Sequence, residues 1–321
     1  MLKALQVLLS QGRQFVPDLR AAVPTGFRGL PVVSGEPCPG SCRACLDVCP
    51  ALAIALAPLR LDLGRCVFCG ECALACPPAK IEFTVEHRLA SDSLEGLVIE
   101  EGRPGLPAVA VAGALARVFG RSLKLRSVST GGCNGCELEL NALSNVNFDL
   151  GRYGIEFVAS PRHADGLVLS GPLTANMREA LDLAWGAMPA PKFVLTVGAC
   201  AISGGPYAES TVLAREFLGH SVPALYLPGC PPHPLTIIGG ILDLLGIDLP
   251  RGPPAQVVSL GRAAAPRRGF PEATVASRTD AAERLLRYVG CDPGFRSGGR
   301  PPEERRRPLR VVGREPREPG A

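Results

Sequence analysis

Residues 124–140 read KLRSVSTGGCNGCELEL. An apolar run ends in a glycine-rich loop that holds Cys133 and Cys136, and a Glu/Leu stretch follows. Two thiolates do not complete a tetrahedral metal site, and the next cysteines in either direction are Cys76 and Cys200. Three readings compete: a redox dithiol, half of a zinc site, or half of a larger site whose other ligands lie far along the chain.

The flanking pattern discriminates among them. From about residue 120, strand candidates alternate with helical stretches, as in βαβ units with a parallel sheet. The strand candidates are KLRSVS (124–129), GLVLSG (166–171), FVLTVG (193–198) and ALYLPG (224–229). NMREALDLAWGAM (176–188) and PLTIIGGILDLLG (234–246) read as helices. In an open parallel sheet, functional groups collect beyond the carboxyl ends of the strands. Three of the four strands run straight into cysteine: one into Cys133 and Cys136, one into Cys200, one into Cys230. Those four thiols are expected at one sheet edge, and four thiolates suit a [4Fe–4S] cluster. A thioredoxin-like dithiol also sits at a strand-to-helix turn, but it leaves Cys200 and Cys230 without a role. Glycines beside each cysteine, among them Gly132, Gly198 and Gly229, let the backbone turn tightly and bring N–H groups up to sulfur.

Eight of the thirteen cysteines lie earlier, in two runs. CVFCGECALACPP (66–78) carries Cys66, Cys69, Cys72 and Cys76 in the C-x2-C-x2-C-x3-C-P spacing of two-cluster ferredoxins. Three closely spaced thiolates wrap one corner of a cubane, and the fourth reaches the other cluster. CPGSCRACLDVCP (38–50) differs by one extra residue between Cys38 and Cys42. The expected ligand sets are therefore Cys38, Cys42, Cys45 and Cys76 for one cluster, and Cys66, Cys69, Cys72 and Cys49 for the other. Zinc sites pair C-x2-C units across longer loops, which these two complete runs do not do. ALAIAL (51–56) and KIEFTV (80–85) fit the short flanking strands of such a module. Cys291 has no partner in this scheme and reads as a free thiol.

Composition narrows the function. The 321 residues suffice for two or three domains, and 46% hydrophobic with 5% aromatic content makes their cores aliphatic. Net charge is +4, and residues 296–321, with eight Arg and four Glu, hold an excess of that size. The remaining body is near neutral, so no basic face for nucleic acid is expected. MLKALQVLLSQGRQF (1–15) lacks a small-residue cleavage site, and no apolar stretch approaches the ~20 residues that span a bilayer. The chain is expected in the cytoplasm, where cysteine clusters favour metal over disulfide.

GGCNGCELE (131–139), GRYGIEFVASPRHADGLVLSGPLTANM (151–177), VGACAISGGPY (197–207) and PGCPPHP (228–234) resemble a known family. It is the small subunit of membrane-bound, energy-converting [NiFe] hydrogenases of the formate-hydrogenlyase type, in the wider group that holds the B subunit of respiratory complex I. The resemblance covers roughly residues 119–250. MLKALQVLLSQGRQ (1–14), FRGLP (27–31), both cysteine runs and FTVEHRLAS (83–91) resemble the two-cluster ferredoxin-like subunit of the same assemblies. The chain thus looks like a fusion of two neighbouring subunits. Complex I B subunits generally present adjacent cysteines, whereas Asn134 and Gly135 split Cys133 from Cys136 here, as in the hydrogenase branch.

The resemblance implies an α/β fold: a flavodoxin-like parallel-sheet domain with one [4Fe–4S] cluster, preceded by a small α+β ferredoxin-like domain with two. The cluster of Cys133, Cys136, Cys200 and Cys230 would be the proximal one, beside a separate large subunit that carries the Ni–Fe centre. Implied partners are that large subunit or its complex I-like equivalent, a further iron–sulfur donor subunit, and membrane subunits at the cytoplasmic face of the inner membrane. The expected function is electron transfer with three [4Fe–4S] clusters and no complete active site in this chain. The alternative is the same role in a nickel-free, complex I-like NADH or ferredoxin:quinone oxidoreductase.

The expected organisation is a leader over 1–29, the ferredoxin-like domain over 30–85, a linker over 86–121, the α/β domain over 122–260, and an extension over 261–321. AVAVAGALARVFG (108–120) and TDAAERLLRYVG (279–290) read as helices, the latter with Asp280 and Glu283 as a capping box. Disorder is expected from about residue 296. The opening segment is either an amphipathic helix on a membrane subunit or a solvated leader. Glu137 and Glu139 are candidates for a proton path, the large-subunit contact or a helix N-terminus. His233 is a candidate for an interface hydrogen bond or for tuning the cluster, not for ligation.

Overall fold

The computed structural model describes residues 2–247 except 13, 14, 23–25 and 104. The expectations for residues 279–290, Cys291 and the tail lie outside the described residues.

A leader helix, α1 (Leu2–Gln11), precedes a module of very short elements. In chain order these are β1 (Pro31–Val33), α2 (Ala44–Asp47), β2 (Ile54–Ala55), β3 (Arg60–Asp62), α3 (Glu71–Ala75), β4 (Ile81–Phe83) and β5 (Val98–Glu100). β1 pairs antiparallel with β4, and β3 lies between β2 and β5 in a second antiparallel sheet. Helices of four and five residues have almost no stability of their own. Here each carries one cysteine, Cys45 or Cys72, that is part of the core of Leu61, Leu63, Ile81, Phe83, Leu97 and Ile99. β5 falls within 86–121, the stretch expected as the connection: Leu97 and Ile99 are buried there, and the strand completes the sheet of β3.

The second body begins with α4 (Gly113–Phe119) and β6 (Leu123–Ser129). It continues with α5 (Gly135–Ala142), β7 (Ile155–Phe157), β8 (Gly166–Ser170), α6 (Arg178–Ala187), β9 (Phe193–Val197) and α7 (Ala199–Ser203). It closes with α8 (Phe217–His220), β10 (Leu225–Leu227) and α9 (Pro234–Leu244). The five strands are all parallel, in the order β7–β6–β8–β9–β10. This is the flavodoxin-like order, with its reversal between β6 and β8.

β8 and β9 are buried at every residue, as expected of strands covered on both faces. The period of two sorts their side chains. Val168, Leu195 and Val197 pack with Ile237, Ile241 and Leu242 of α9. Leu167, Leu169 and Val194 pack with Leu181 of α6 and Phe217 of α8. Each such side chain contributes roughly 1.5–3 kcal/mol on burial. Gly240 lets α9 lie close on the sheet, since a Cβ there would sit 2.6 Å from the Ala90 Cβ and 2.7 Å from Leu227 Cδ2.

The helix expected over 108–120 is shorter, beginning at Gly113. Residues before it form an extended strap: the Ala110 N–H donates to Asp92 Oδ2 and the Ala112 N–H to the Leu244 carbonyl. Those tertiary partners replace the helical hydrogen bonds. The two bodies are also stitched together. Ser91 and Tyr226 exchange backbone hydrogen bonds of 3.1 and 2.8 Å, and Ser203 Oγ donates to the Gly64 carbonyl at 2.9 Å. Ile202 and Tyr226 belong to the core of the cysteine-rich module. Arg20 forms an ion pair with Asp243 of α9. Among the described residues, no helix is long and apolar enough to cross a membrane.

Candidate metal centres

The carboxyl ends of β6, β9 and β10 deliver the four cysteines of the second body. Cys133 lies in the loop after β6 and Cys136 in the first turn of α5, behind Asn134 at φ +71°. Cys200 sits in α7 immediately after β9, and Cys230 follows β10. A Cβ on Gly198, at the end of β9, would lie 2.6 Å from Cys136 Sγ, and one on Gly205 would lie 3.2 Å from Cys200 Sγ. Glycine at 198, with φ +90°, therefore leaves the space that the Cys136 sulfur occupies. Gly229, φ +147°, is tighter still, because a Cβ would come within 2.3 Å of Pro232 Cα.

Burial, then the Cys230 and Cys133 thiols, push Cys200 up to about 12. Cys136 is raised well beyond the ordinary thiol range by burial and then by Cys200 and Cys230. Cys230 is raised to about 11 by burial, then by Cys133 and by Cys69 of the cysteine-rich module. Cys136, Cys200 and Cys230 are each raised in part by neighbouring thiols of this set, so the set faces one common space, and thiolates there need a bound cation or cationic cluster to coexist. Cys133 is exposed and the other three are half-buried.

In the module, Cys49, Cys66, Cys69 and Cys72 line one void with Ala51, Ile54, Leu61 and Phe83. Burial and then Cys72, Cys49 and Cys69 act on Cys66, so the thiol crossing from the first run joins the second. The converse crossing is also present, since burial, then Cys76, then Cys38 raise Cys45. Cys42 lies half-buried in the turn between, its N–H donating to the Pro39 carbonyl at 3.1 Å. Backbone N–H groups of Ala53, Phe68 and Lys80 donate to the sulfurs of Cys49, Cys66 and Cys76, each at 3.3 Å. Such bonds favour the thiolate and tune a bound cluster.

Cys69 and Cys230 pack together against Ala51 and Val67, so one module group adjoins the group of the α/β body. Among the described residues, no three His, Cys, Asp or Glu side chains converge on a single ion-sized point. Zinc holds its sulfurs at about 2.3 Å, whereas a polynuclear cluster holds its thiolates further apart.

Other residues have defined places. Glu137, in the first turn of α5, accepts a 2.8 Å hydrogen bond from Ser170 Oγ at the end of β8. Burial raises the Glu139 carboxyl above the usual range. His233 caps α9, its Nδ1 accepting from the Leu235 N–H at 3.1 Å, and its ring lies between Phe27 and Phe148. Burial, then His87, lower the imidazole to about 4. Arg215 reaches the loop of Cys200, and the sequence gives no sign of it: it lies in no motif, and it bonds to backbone carbonyls.

Comparison with known proteins places this architecture. The model of the family described as NADH ubiquinone oxidoreductase, 20 Kd subunit, matches residues 133–244. A probable membrane-bound hydrogenase subunit of Pyrococcus furiosus is 37% identical over 129 residues, covering 40% of this chain and 77% of that protein. Formate hydrogenlyase subunit 7 of Escherichia coli is 39% identical over 135 residues, covering 42% of this chain and 52% of that one. An NADH-quinone oxidoreductase subunit of Clostridium beijerinckii is 40% identical over 113 residues, covering 34% of this chain and 65% of that one. With its parallel sheet and the cysteine loops at one edge of it, the chain belongs to the NADH ubiquinone oxidoreductase 20 Kd subunit family.

Proposed function

We propose that the chain is the iron–sulfur electron-transfer subunit of a membrane-associated [NiFe] hydrogenase complex of the formate-hydrogenlyase type. The observation that carries this reading is the gathering of Cys133, Cys136, Cys200 and Cys230 from three strand ends onto one space, with Cys136 Sγ against Gly198. Members of the family bind a [4Fe–4S] cluster, and these four cysteines are its ligands in our reading. Two further [4Fe–4S] clusters are held by Cys38, Cys42, Cys45 and Cys76, and by Cys49, Cys66, Cys69 and Cys72. Each cluster, when bound, supplies a one-electron carrier whose potential depends on charge, hydrogen bonds and solvent access.

The chain's own residues do the rest. The N–H groups of Ala53, Phe68 and Lys80 stabilise thiolates, while Leu61 and Phe83 keep water from the inner void. Cys69 and Cys230 both pack against Ala51 and Val67, which brings the module beside the α/β body, so the order is first module group, second module group, sheet-edge group. Exposed Cys133 marks the side open to a large subunit that carries the Ni–Fe centre. A further iron–sulfur donor subunit meets the module, and membrane subunits anchor the complex at the cytoplasmic face. In this reading the module spans 30–85 and the α/β body 122–260, with residues 86–121 between them contributing β5 to the module's sheet and Ser91 to the edge of β10.

The second reading is the same relay in a nickel-free NADH or ferredoxin:quinone oxidoreductase, favoured by the 40% identical NADH-quinone oxidoreductase relative. Metal analysis of the anaerobically purified complex separates the two. About 12 iron atoms are expected in this chain, with nickel near one per complex. Iron without nickel, with the large subunit present, would select the second reading. Zinc in place of iron would overturn both.

A further inference from the structure

Arg215 lies in the loop between Tyr207 and α8, beneath α7, and is half-buried. Its guanidinium donates to four carbonyls: Cys200 at 3.1 Å, Ala201 at 2.9 Å, Ile202 at 2.8 Å and Pro172 at 3.4 Å. The first three belong to α7, whose last carbonyls have few partners of their own in so short a helix. The fourth belongs to the loop after β8. One fork thus ties two strand-end loops together, and the loop that carries it is itself held, by the Ala214 N–H on the Leu173 carbonyl at 2.7 Å.

The charge is placed as well as anchored. The guanidinium sits 3.1 Å from the carbonyl of Cys200 itself and on those of the next two residues, so its positive charge lies within the loop that carries that sulfur. A cation out of bulk water beside a thiolate interacts far more strongly than one at the surface. It also favours whichever redox state of the site holds one more electron.

We propose that Arg215 is a positioning residue that holds the Cys200 loop and, by its charge, raises the reduction potential of the cluster at Cys133, Cys136, Cys200 and Cys230. This rests on the reading of those four cysteines as ligands. Its action is on the resident group's electron affinity, through a loop that touches no substrate.

The test uses the full chain in its native complex, with iron content and an EPR-monitored redox titration of the sheet-edge cluster. Arg215→Gln removes the charge but keeps an amide that donates to a carbonyl; Arg215→Lys keeps the charge but loses the fork. We expect both variants to retain iron. At a fixed poise, Arg215→Gln should lower the reduced-to-oxidised ratio about tenfold, equivalent to ~59 mV for one electron. Arg215→Lys should stay within about twofold of wild type, ~18 mV by the same constant. An unshifted Arg215→Gln would overturn the proposal, as would an equal shift in both variants. Equal loss of the cluster from both would overturn it too, leaving Arg215 a scaffold of the loop. Cys200→Ser serves as the control: if it leaves all cluster signals intact, the ligand assignment has failed, separately from the role of Arg215.

Discussion

The two bodies reach the same kind of thiol group by opposite routes. The module draws eight cysteines from 39 consecutive positions, 38–76, in the loops and short helices between strands of two or three residues. The α/β body gathers four from positions 133–230, and only the parallel alignment of β6, β9 and β10 brings them together. In the first case the cysteine runs are local and the sheets small; in the second the sheet is the instrument of assembly. Damage to one should therefore differ in kind from damage to the other.

The sharpest way to break this comparison is to remove single thiols. Cys200→Ser should cost about 4 of about 12 iron atoms and spare the module's signals. Cys49→Ser should instead remove the cluster of Cys66, Cys69 and Cys72, although Cys49 belongs to the other run. Iron analysis with EPR of both variants checks the crossing; loss of the Cys38 group's signal in Cys49→Ser would refute it.

A smaller effect separates backbone positions within the α/β body. Gly229→Ala places a Cβ 2.3 Å from Pro232 Cα at φ +147°, and should cost more than about 2 kcal/mol with loss of the sheet-edge cluster. Gly239→Ala, in α9 with nothing within 4 Å of the new Cβ, should be stabilising by up to about 1 kcal/mol. Urea unfolding of the two variants measures the contrast; similar midpoints would remove the claim that the cysteine loops are sterically fixed.

The smallest effect concerns pH. His233 is held at about 4 by burial and His87, against about 6.5 for an unfolded histidine. The unfolded chain then binds the extra proton first, so this contribution to stability is intact above about pH 6.5 and is lost as pH falls to about 4. His233→Gln, whose side-chain oxygen can still accept from the Leu235 N–H, should lose less stability than wild type between pH 7 and 4.5. Parallel unfolding curves at both pH values would assign the acid sensitivity elsewhere.

The sequence shows these features unevenly, for physical reasons. β8 and β9 are apolar at nearly every position because both faces are covered, so they stand out. β5 and β7 are three residues each, at sheet edges, and carry too little pattern to announce themselves. The strap before α4 has helix-forming alanines, yet Asp92 and the Leu244 carbonyl claim its N–H groups. The cysteine spacings are legible because they are written in the covalent chain, while the parallel sheet that aligns β6, β9 and β10 is read only through the alternation of strands and helices. Arg215 is not legible, since a side chain that binds carbonyls leaves no trace in its partners' identities.

The bridge between Ser91 and Tyr226 has a consequence for solubility. β10 is an end strand, and its outer backbone groups would otherwise form a template for another chain. Ser91 occupies that template at Tyr226, while the cysteine-rich module covers the apolar surfaces of Ile202 and Tyr226. An α/β body separated from residues before 122 would bare both the strand edge and this patch, and would be prone to strand addition and aggregation. Carrying the module on the same chain supplies the protective cap at a fixed one-to-one ratio, at a local concentration in the millimolar range typical of short tethers, about 10⁻³ M.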